Sequence, residues 1–360
     1  MHIDKYTQTI FEWKFTPMAN YICPTYKVTK NESNAPRGLA LLLSLIVGKQ
    51  QRGFDEVSAE RMYQCNSCYL CTSCGYDETD PASLFIAARA DLVAAEKAPK
   101  CIVEYKEQLL SQRQKAKGKR QKAQVGIVVD PFIAKSFSDE LNANFALLDK
   151  ASVEYGIIGL EQGSGAQFFE LGFWEIAKNI AAQNFQEMTS GGYSTLVFLS
   201  PYDFKAFTSW YAELGLQIPR SVKIIPFPAY LLELIRAGKL TFGKKKKACS
   251  VTYHEANHFV RPKSSFLEIA EALKSVPEVT YKPMWKTGRL AYSDAGDFLS
   301  FTYPEIAKGI NDQLLAEVKQ TGAETVLTSC FYALHNLRQV AQQSTDPKIS
   351  DLGTFLMDYL

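Results

Sequence analysis

The chain has 360 residues, 46% hydrophobic and 22% charged, and its 40 basic and 38 acidic residues leave a formal net charge of +2. That length suits two or three domains with real cores, and that charge gives no sign of a nucleic-acid partner. The longest apolar run, Leu39 to Val47 with Ser44 inside it, is about half of what spans a bilayer, so no transmembrane helix is expected.

The N-terminus, Met1-His2-Ile3-Asp4-Lys5, lacks the basic start, apolar core and cleavage site of a secretory signal. A cytoplasmic location is therefore expected, where clustered cysteines suggest metal or catalysis before disulfides. Residues 1–96 contain the helix candidate Leu39 to Val47 and five of the eight cysteines. Four of those five fall in Cys65-Asn66-Ser67-Cys68-Tyr69-Leu70-Cys71-Thr72-Ser73-Cys74. Cys65, Cys68 and Cys71 have the Cys-x2-Cys-x2-Cys spacing by which a loop wraps one [4Fe-4S] cubane, each thiolate taking one iron. Zinc is the rival metal, although zinc ribbons usually separate two Cys-x2-Cys pairs widely. A fourth ligand is needed, and there are two candidates. Cys23 precedes Pro24, as remote fourth ligands do in two-cluster ferredoxins; Cys74 is adjacent but tightly spaced. Cys23 is preferred. Cys101 and Cys249 read as ordinary buried thiols.

Residues 97–124 are rich in Lys, Arg and Gln and read as a solvated basic linker. From Val125 onward, short apolar runs (Val125 to Val129, Leu196 to Leu199, Ile224 to Phe227, Val326 to Thr328) alternate with amphipathic stretches of helical length, which predicts α/β structure. A repeat supports two lobes: Glu175-Ile176-Ala177-Lys178 returns 130 residues later as Glu305-Ile306-Ala307-Lys308, and Gly192 and Thr195 return as Gly322 and Thr325. The expected lobes are 125–243 and 248–360, with ligand-binding loops after the strands' carboxyl ends.

Other motifs are weaker. His254-Glu255-Ala256-Asn257-His258 satisfies the zincin pattern formally, but Ser250 to Tyr253 predicts a strand where that chemistry needs a helix. Gly163-Ser164-Gly165 is too short for a phosphate loop, and Lys244 to Lys247 reads as a solvated turn. Tyr292, Asp294 and Asp297 fall in a loop facing the lobe centre, where they serve as polar filler or as a site.

Cys23-Pro24-Thr25-Tyr26, Glu32-Ser33, Pro36-Arg37-Gly38, the Cys65 to Cys74 run and Arg89 together resemble the ferredoxin domain of heterodisulfide reductase D-type and glycolate oxidase iron-sulfur subunits. The lobes resemble that family's paired cysteine-rich CCG domains. The implied fold is α+β: an N-terminal helical ferredoxin-like iron-sulfur domain, then two duplicated α/β lobes. Where the family has three further cysteines this chain has Trp13, Thr16 and Ala19, so the resemblance implies one cubane instead of two, held by Cys23, Cys65, Cys68 and Cys71. Asp130-Pro131, Ser200 to Asp203 and Ala256 stand where the lobes' cysteines would be, and Cys330 alone remains. Phe11, Trp13, Tyr21, Tyr26 and Tyr69 are expected to shield the cluster.

The expected function is a non-catalytic iron-sulfur electron-transfer subunit of a heterodisulfide-reductase-like complex. Its partner would be a flavoprotein or another iron-sulfur subunit, with membrane association only through partners. The alternative is an oxidoreductase subunit binding a quinone, thiol or organic acid between the lobes, through Cys330, His254, His258 and His335. A third possibility is a cluster that only staples the N-terminal domain.

Overall fold

The computed structural model describes residues 1–49, 53–75, 79–111, 123–159, 161–243, 248–261 and 269–360. Lys244 to Lys247 and residues 112–122 of the basic stretch lie outside the described residues.

Residues 1–111 form short helices. Pro24–Thr29, Pro36–Val47 and Pro81–Ala94 each begin with proline, whose fixed φ suits the first helical position. Ile10, Leu39, Leu43, Met62, Tyr63 and Leu84 bury a common core. The described part of the basic stretch is not a free linker: Lys100–Ser111 is a helix that buries Ile102 and Tyr105.

The rest is built on parallel strands. In the first half these are β1 (Val125–Val129), β2 (Tyr155–Gly159), β3 (Glu161–Ser164), β4 (Thr195–Phe198) and β5 (Lys223–Pro226). The second half has β6 (Cys249–His254), β7 (Val279–Tyr281), β8 (Thr325–Thr328) and β9 (Lys348–Asp351). Among the described residues all of these but β3 make two four-stranded parallel sheets, ordered β2-β1-β4-β5 and β7-β6-β8-β9. The two orders are equivalent, and so are the registers: Val125 pairs with Thr195, and Val251 with Thr325. The repeated Glu-Ile-Ala-Lys lies near the start of the helix before β4 (Trp174–Gly191) and of the helix before β8 (Pro304–Gln320). The central strands of the first sheet are mostly apolar because helices cover both faces of a parallel sheet; Ile127, Val128, Val129, Val197 and Phe198 are fully buried. The fold is thus mixed α and β.

Side-chain caps start the helices that follow several strands. Asp130 accepts from the Phe132 and Ile133 amides, Ser200 from Asp203, Cys330 from Ala333 and Asp351 from Thr354. These caps sit at the carboxyl ends of their strands, so the polar side chains of both halves meet at one interface. Helix Ser138–Lys150 packs on Leu352–Met357 across it, where the Asn144 amide donates to the Asp351 carboxylate (3.0 Å). The N-terminal helices join the same body, since Val28 would be 2.6 Å from a Cβ placed on Gly309. Among the described residues no helix is long and apolar enough to cross a membrane.

Candidate functional site

Two polar regions stand out: a pocket lined by cysteines and a cleft between the two sheets.

The cysteine pocket is enclosed by Cys23, Cys65, Cys68 and Cys71 together with Pro24, Leu39, Tyr69, Ala82 and Phe85, and among the described residues no charged side chain lines it. Cys74 is not among the lining residues; it is exposed at the end of helix Leu70–Cys74. The loop between Cys65 and Cys71 turns tightly because Ser67 (φ 47°) and Tyr69 (φ 58°) adopt the left-handed conformation, which is unusual for such residues and must be held in place. Two buried arginines hold it. Arg89 donates to the carbonyls of Met62, Cys65 and Glu170 and to the Ser67 hydroxyl. Arg261, at the end of the short helix Asn257–Val260 in the second half, donates to the carbonyls of Cys68, Arg289 and Ala291 and to Asn257. Of the rings expected to shield the pocket only Tyr69 lines it, while Phe11 and Tyr21 are exposed. Trp13 is fully buried, its ring lies within 2.4 Å of where a Cβ of Gly75 would be, and its indole donates to Thr79 (2.9 Å).

Burial pushes the thiols of Cys23, Cys65 and Cys71 up, Cys65 to about 11, because the apolar surroundings penalise a thiolate. A protonated thiol is a poor metal ligand. Among the described residues no three or more His, Cys, Asp or Glu side chains are grouped to hold a metal ion. The expectation of an iron-sulfur electron-transfer subunit is corrected on that finding. With it falls the description of the chain as part of an electron-transport, heterodisulfide-reductase-like oxidoreductase complex. The physical reason is that the thiols line a pocket whose apolar surroundings keep them neutral.

The oxidoreductase alternative falls with it, and each of the residues it named has a local role. His254 ends β6, with Nε2 at 3.2 Å from the Tyr292 carbonyl. His258 is packed among the rings of Tyr69, Tyr202 and Trp210 and is driven strongly toward the neutral form by burial and by Lys205 and Arg261. Cys330 caps its own helix, and His335 sits edge-on to Phe132. A zincin site is ruled out geometrically, since His254 is on a strand and His258 on the short helix Asn257–Val260.

The inter-sheet cleft has a volume of about 410 Å³. Tyr105 and Gln108 come from helix Lys100–Ser111; Phe132, Lys135 and Gln167 come from the first half; Asp297, Phe301 and Tyr332 come from the second. Asp297 is 5% exposed. Its Oδ1 accepts from the Tyr105 hydroxyl (3.2 Å), and its amide donates to the Tyr202 hydroxyl (2.9 Å). Among the described residues its Oδ2 has no hydrogen-bond partner. The Gln167 amide donates to the Tyr332 hydroxyl (3.1 Å), which donates to Asp130 Oδ2 (3.3 Å). Burial, and then the Asp130 charge, push Asp297 up to about 7, against hydrogen bonds from Gln167 and Tyr105. Burial likewise raises Asp130 and Asp203, and takes Glu170 up to about 8 against the Arg89 guanidinium. A carboxyl that titrates near neutrality on a cleft wall can both give and take a proton.

Sequence reasoning placed Asp297 in a loop facing the lobe centre and set Asp130 where a family cysteine would be, but it assembled no cleft. Tyr105, Gln167 and Tyr332 were missed. The one available signal was the position of Asp130 and Tyr332, just after strands, where α/β folds bind ligands.

No family model matches the chain, and no curated protein does. Among solved structures, a hypothetical protein from Helicobacter pylori is similar with a TM-score of 0.56 at 9% identity, over 99% of this chain and 76% of that one. That likeness is one of fold alone. A putative Asp/Glu racemase from Yersinia pestis has a TM-score of 0.31 at 9% identity, over 65% of this chain and 94% of that one. An aspartate racemase homologue from Pyrococcus horikoshii OT3 has a TM-score of 0.27 at 12% identity, over 65% and 96%. Likenesses as slight as the last two carry no argument about this chain, and none of the three proteins is described as an electron carrier.

Proposed function

We propose that this protein binds a small organic molecule in the cleft between its two sheets and that Asp297 serves there as a general acid or base. The observation that carries the reading is the Asp297 carboxyl: buried, raised to about 7, and with Oδ2 free of any partner on the wall of a cleft of about 410 Å³. A buried carboxyl oxygen left without a hydrogen bond costs about 1–3 kcal/mol, and a ligand donor would recover that. The cleft lies at the carboxyl ends of the parallel strands, where such folds place ligands, and its volume suits a molecule of drug size. Tyr105 and Gln167 orient the carboxyl, and Tyr332 links it to Asp130. A fragment screen by ligand-observed NMR on the full chain, with hits located by crystallography, tests the reading. Fragments should gather in the cleft, and the Asp297 carboxyl should titrate near 7 by carbon-13 NMR. A screen with no hit in the cleft, or an Asp297 titrating near 4, would remove it.

The content of the cysteine pocket is a separate proposal. We propose that the resemblance to the ferredoxin domain extends to its cofactor, with Cys23, Cys65, Cys68 and Cys71 holding one [4Fe-4S] cluster as a structural staple and with no electron transfer assigned to it. What supports this is a pocket shared by four sulfurs and no charged side chain: a cluster spreads its ligands over several irons and needs no single point of convergence. The cluster would supply the positive charge that the apolar walls withhold from the thiolates. Iron and sulfide analysis of an anaerobic preparation should give about four irons per chain. Cys23→Ser should lower that content and Cys74→Ser should not. A colourless, iron-free protein would refute the proposal.

A further inference from the structure

The cleft has a chemical polarity that narrows what enters it. Two stacked aromatic pairs line it: Phe132 with Tyr332 (centroids 4.7 Å apart, 13° between planes) and Tyr105 with Phe301 (5.1 Å, 17°). Flat aromatic surfaces take a planar ring by offset stacking. Behind them the buried wall offers acceptors, chiefly the unpartnered Asp297 Oδ2. Further carboxyls lie nearby: Asp130, reached through Tyr332, and Asp203, which interacts with Asp130. Once Asp297 has lost its proton, above about pH 7, a second negative charge at that end would have no compensation. The one basic side chain among the described lining residues is Lys135, on helix Pro131–Ser136.

We infer that the ligand is a planar nitrogen heterocycle that stacks on these aromatic pairs and donates a ring N–H to Asp297 Oδ2. Purine-type bases with adjacent N–H donors belong to this class. Aliphatic acids do not, and neither do aromatic acids. The inference rests on the binding function proposed above and deepens it by naming the ligand's chemistry.

The probe is guanosine, titrated into the full chain by calorimetry and compared with 1-methylguanosine, which lacks the ring N–H, and with benzoate, which has the flat ring but an anionic edge. Guanosine should bind. 1-Methylguanosine should bind at least about tenfold more weakly, a factor equal to about 1.4 kcal/mol for the lost donor. Asp297→Ala should weaken guanosine to a similar degree while leaving 1-methylguanosine nearly unchanged. Should that variant fail to fold, the methylated ligand on the unchanged protein makes the comparison. Equal binding of guanosine and its methylated form overturns the inference, as does a preference for benzoate. Either result leaves the binding function standing if fragments occupy the cleft; an empty cleft in the fragment screen overturns both.

Discussion

The cysteine pocket and the inter-sheet cleft solve the burial of polar groups in opposite ways. In the pocket, four residues from two short stretches of chain face apolar walls, and the strain of the Ser67 and Tyr69 conformations is held by arginines whose hydrogen bonds are all spent on the backbone and nearby side chains. Around the cleft, carboxyls from distant segments are brought together by two sheets whose strand ends meet, and Asp297 Oδ2 on its wall has no partner among the described residues. A pocket whose donors are satisfied internally behaves as structure. A cleft with a free acceptor and a carboxyl titrating near 7 is prepared for a partner from outside.

Arg89 joins the two regions, since it holds the Cys65 and Ser67 loop and also the carbonyl next to the cleft's first-half wall, at Glu170. Replacing it by Ala leaves buried carbonyls unpaired and Glu170 without its compensating charge. Arg89→Ala should cost about 3–5 kcal/mol in urea unfolding. A loss below about 1 kcal/mol would mean that the loop holds itself and that the two regions are independent.

The pH dependence separates the regions further. Asp297 has a folded value raised to about 7 from an ordinary 3.8, so the folded state binds its proton more tightly than the unfolded chain does. The stability that this contributes is complete below about pH 4 and is lost as the pH rises through about 7, on the order of 4 kcal/mol at most. Urea midpoints for the natural protein should fall across that window, and Asp297→Asn should flatten the fall. An unchanged slope in the variant would place the titration elsewhere.

A smaller effect sharpens the geometry of the cleft. Gly296 has φ +74°, and a Cβ there would lie 2.5 Å from the Tyr202 hydroxyl, the group that accepts from the Asp297 amide. Gly296→Ala should destabilise by about 1–3 kcal/mol through backbone strain and displacement of Tyr202, and should shift the Asp297 titration. A stable variant with an unshifted carboxyl would show that Tyr202 does not position it. The smallest effect is expected far from both regions. Lys223 and Glu233 form an ion pair (2.6 Å) with both side chains about half exposed, and Lys223→Ala should change stability by less than about 1 kcal/mol. A larger loss would show that surface pairs compete with the buried groups in this protein.

The sequence on its own determined the features that depend on neighbours along the chain. The spacing of Cys65, Cys68 and Cys71 already implied a loop that turns its thiols one way. The apolar runs at Val125 and Val326 already implied buried parallel strands, and the repeated Glu-Ile-Ala-Lys marked equivalent helices. The reading of electron transfer went too far because spacing reports which side chains a loop can gather and says nothing of how closely the sulfurs meet or how their surroundings set their charge. Asp130, Gln167, Asp297 and Tyr332, by contrast, are separated by as much as 202 residues, and each alone looks like a helix cap, a turn residue or polar filler. Only the tertiary structure decided that Gln167, Asp297 and Tyr332 share a cleft with Asp130 behind Tyr332, because the packing of one sheet's strand ends against the other's fixes their distances. The same packing removes the water that would otherwise keep Asp297 an ordinary surface carboxylate.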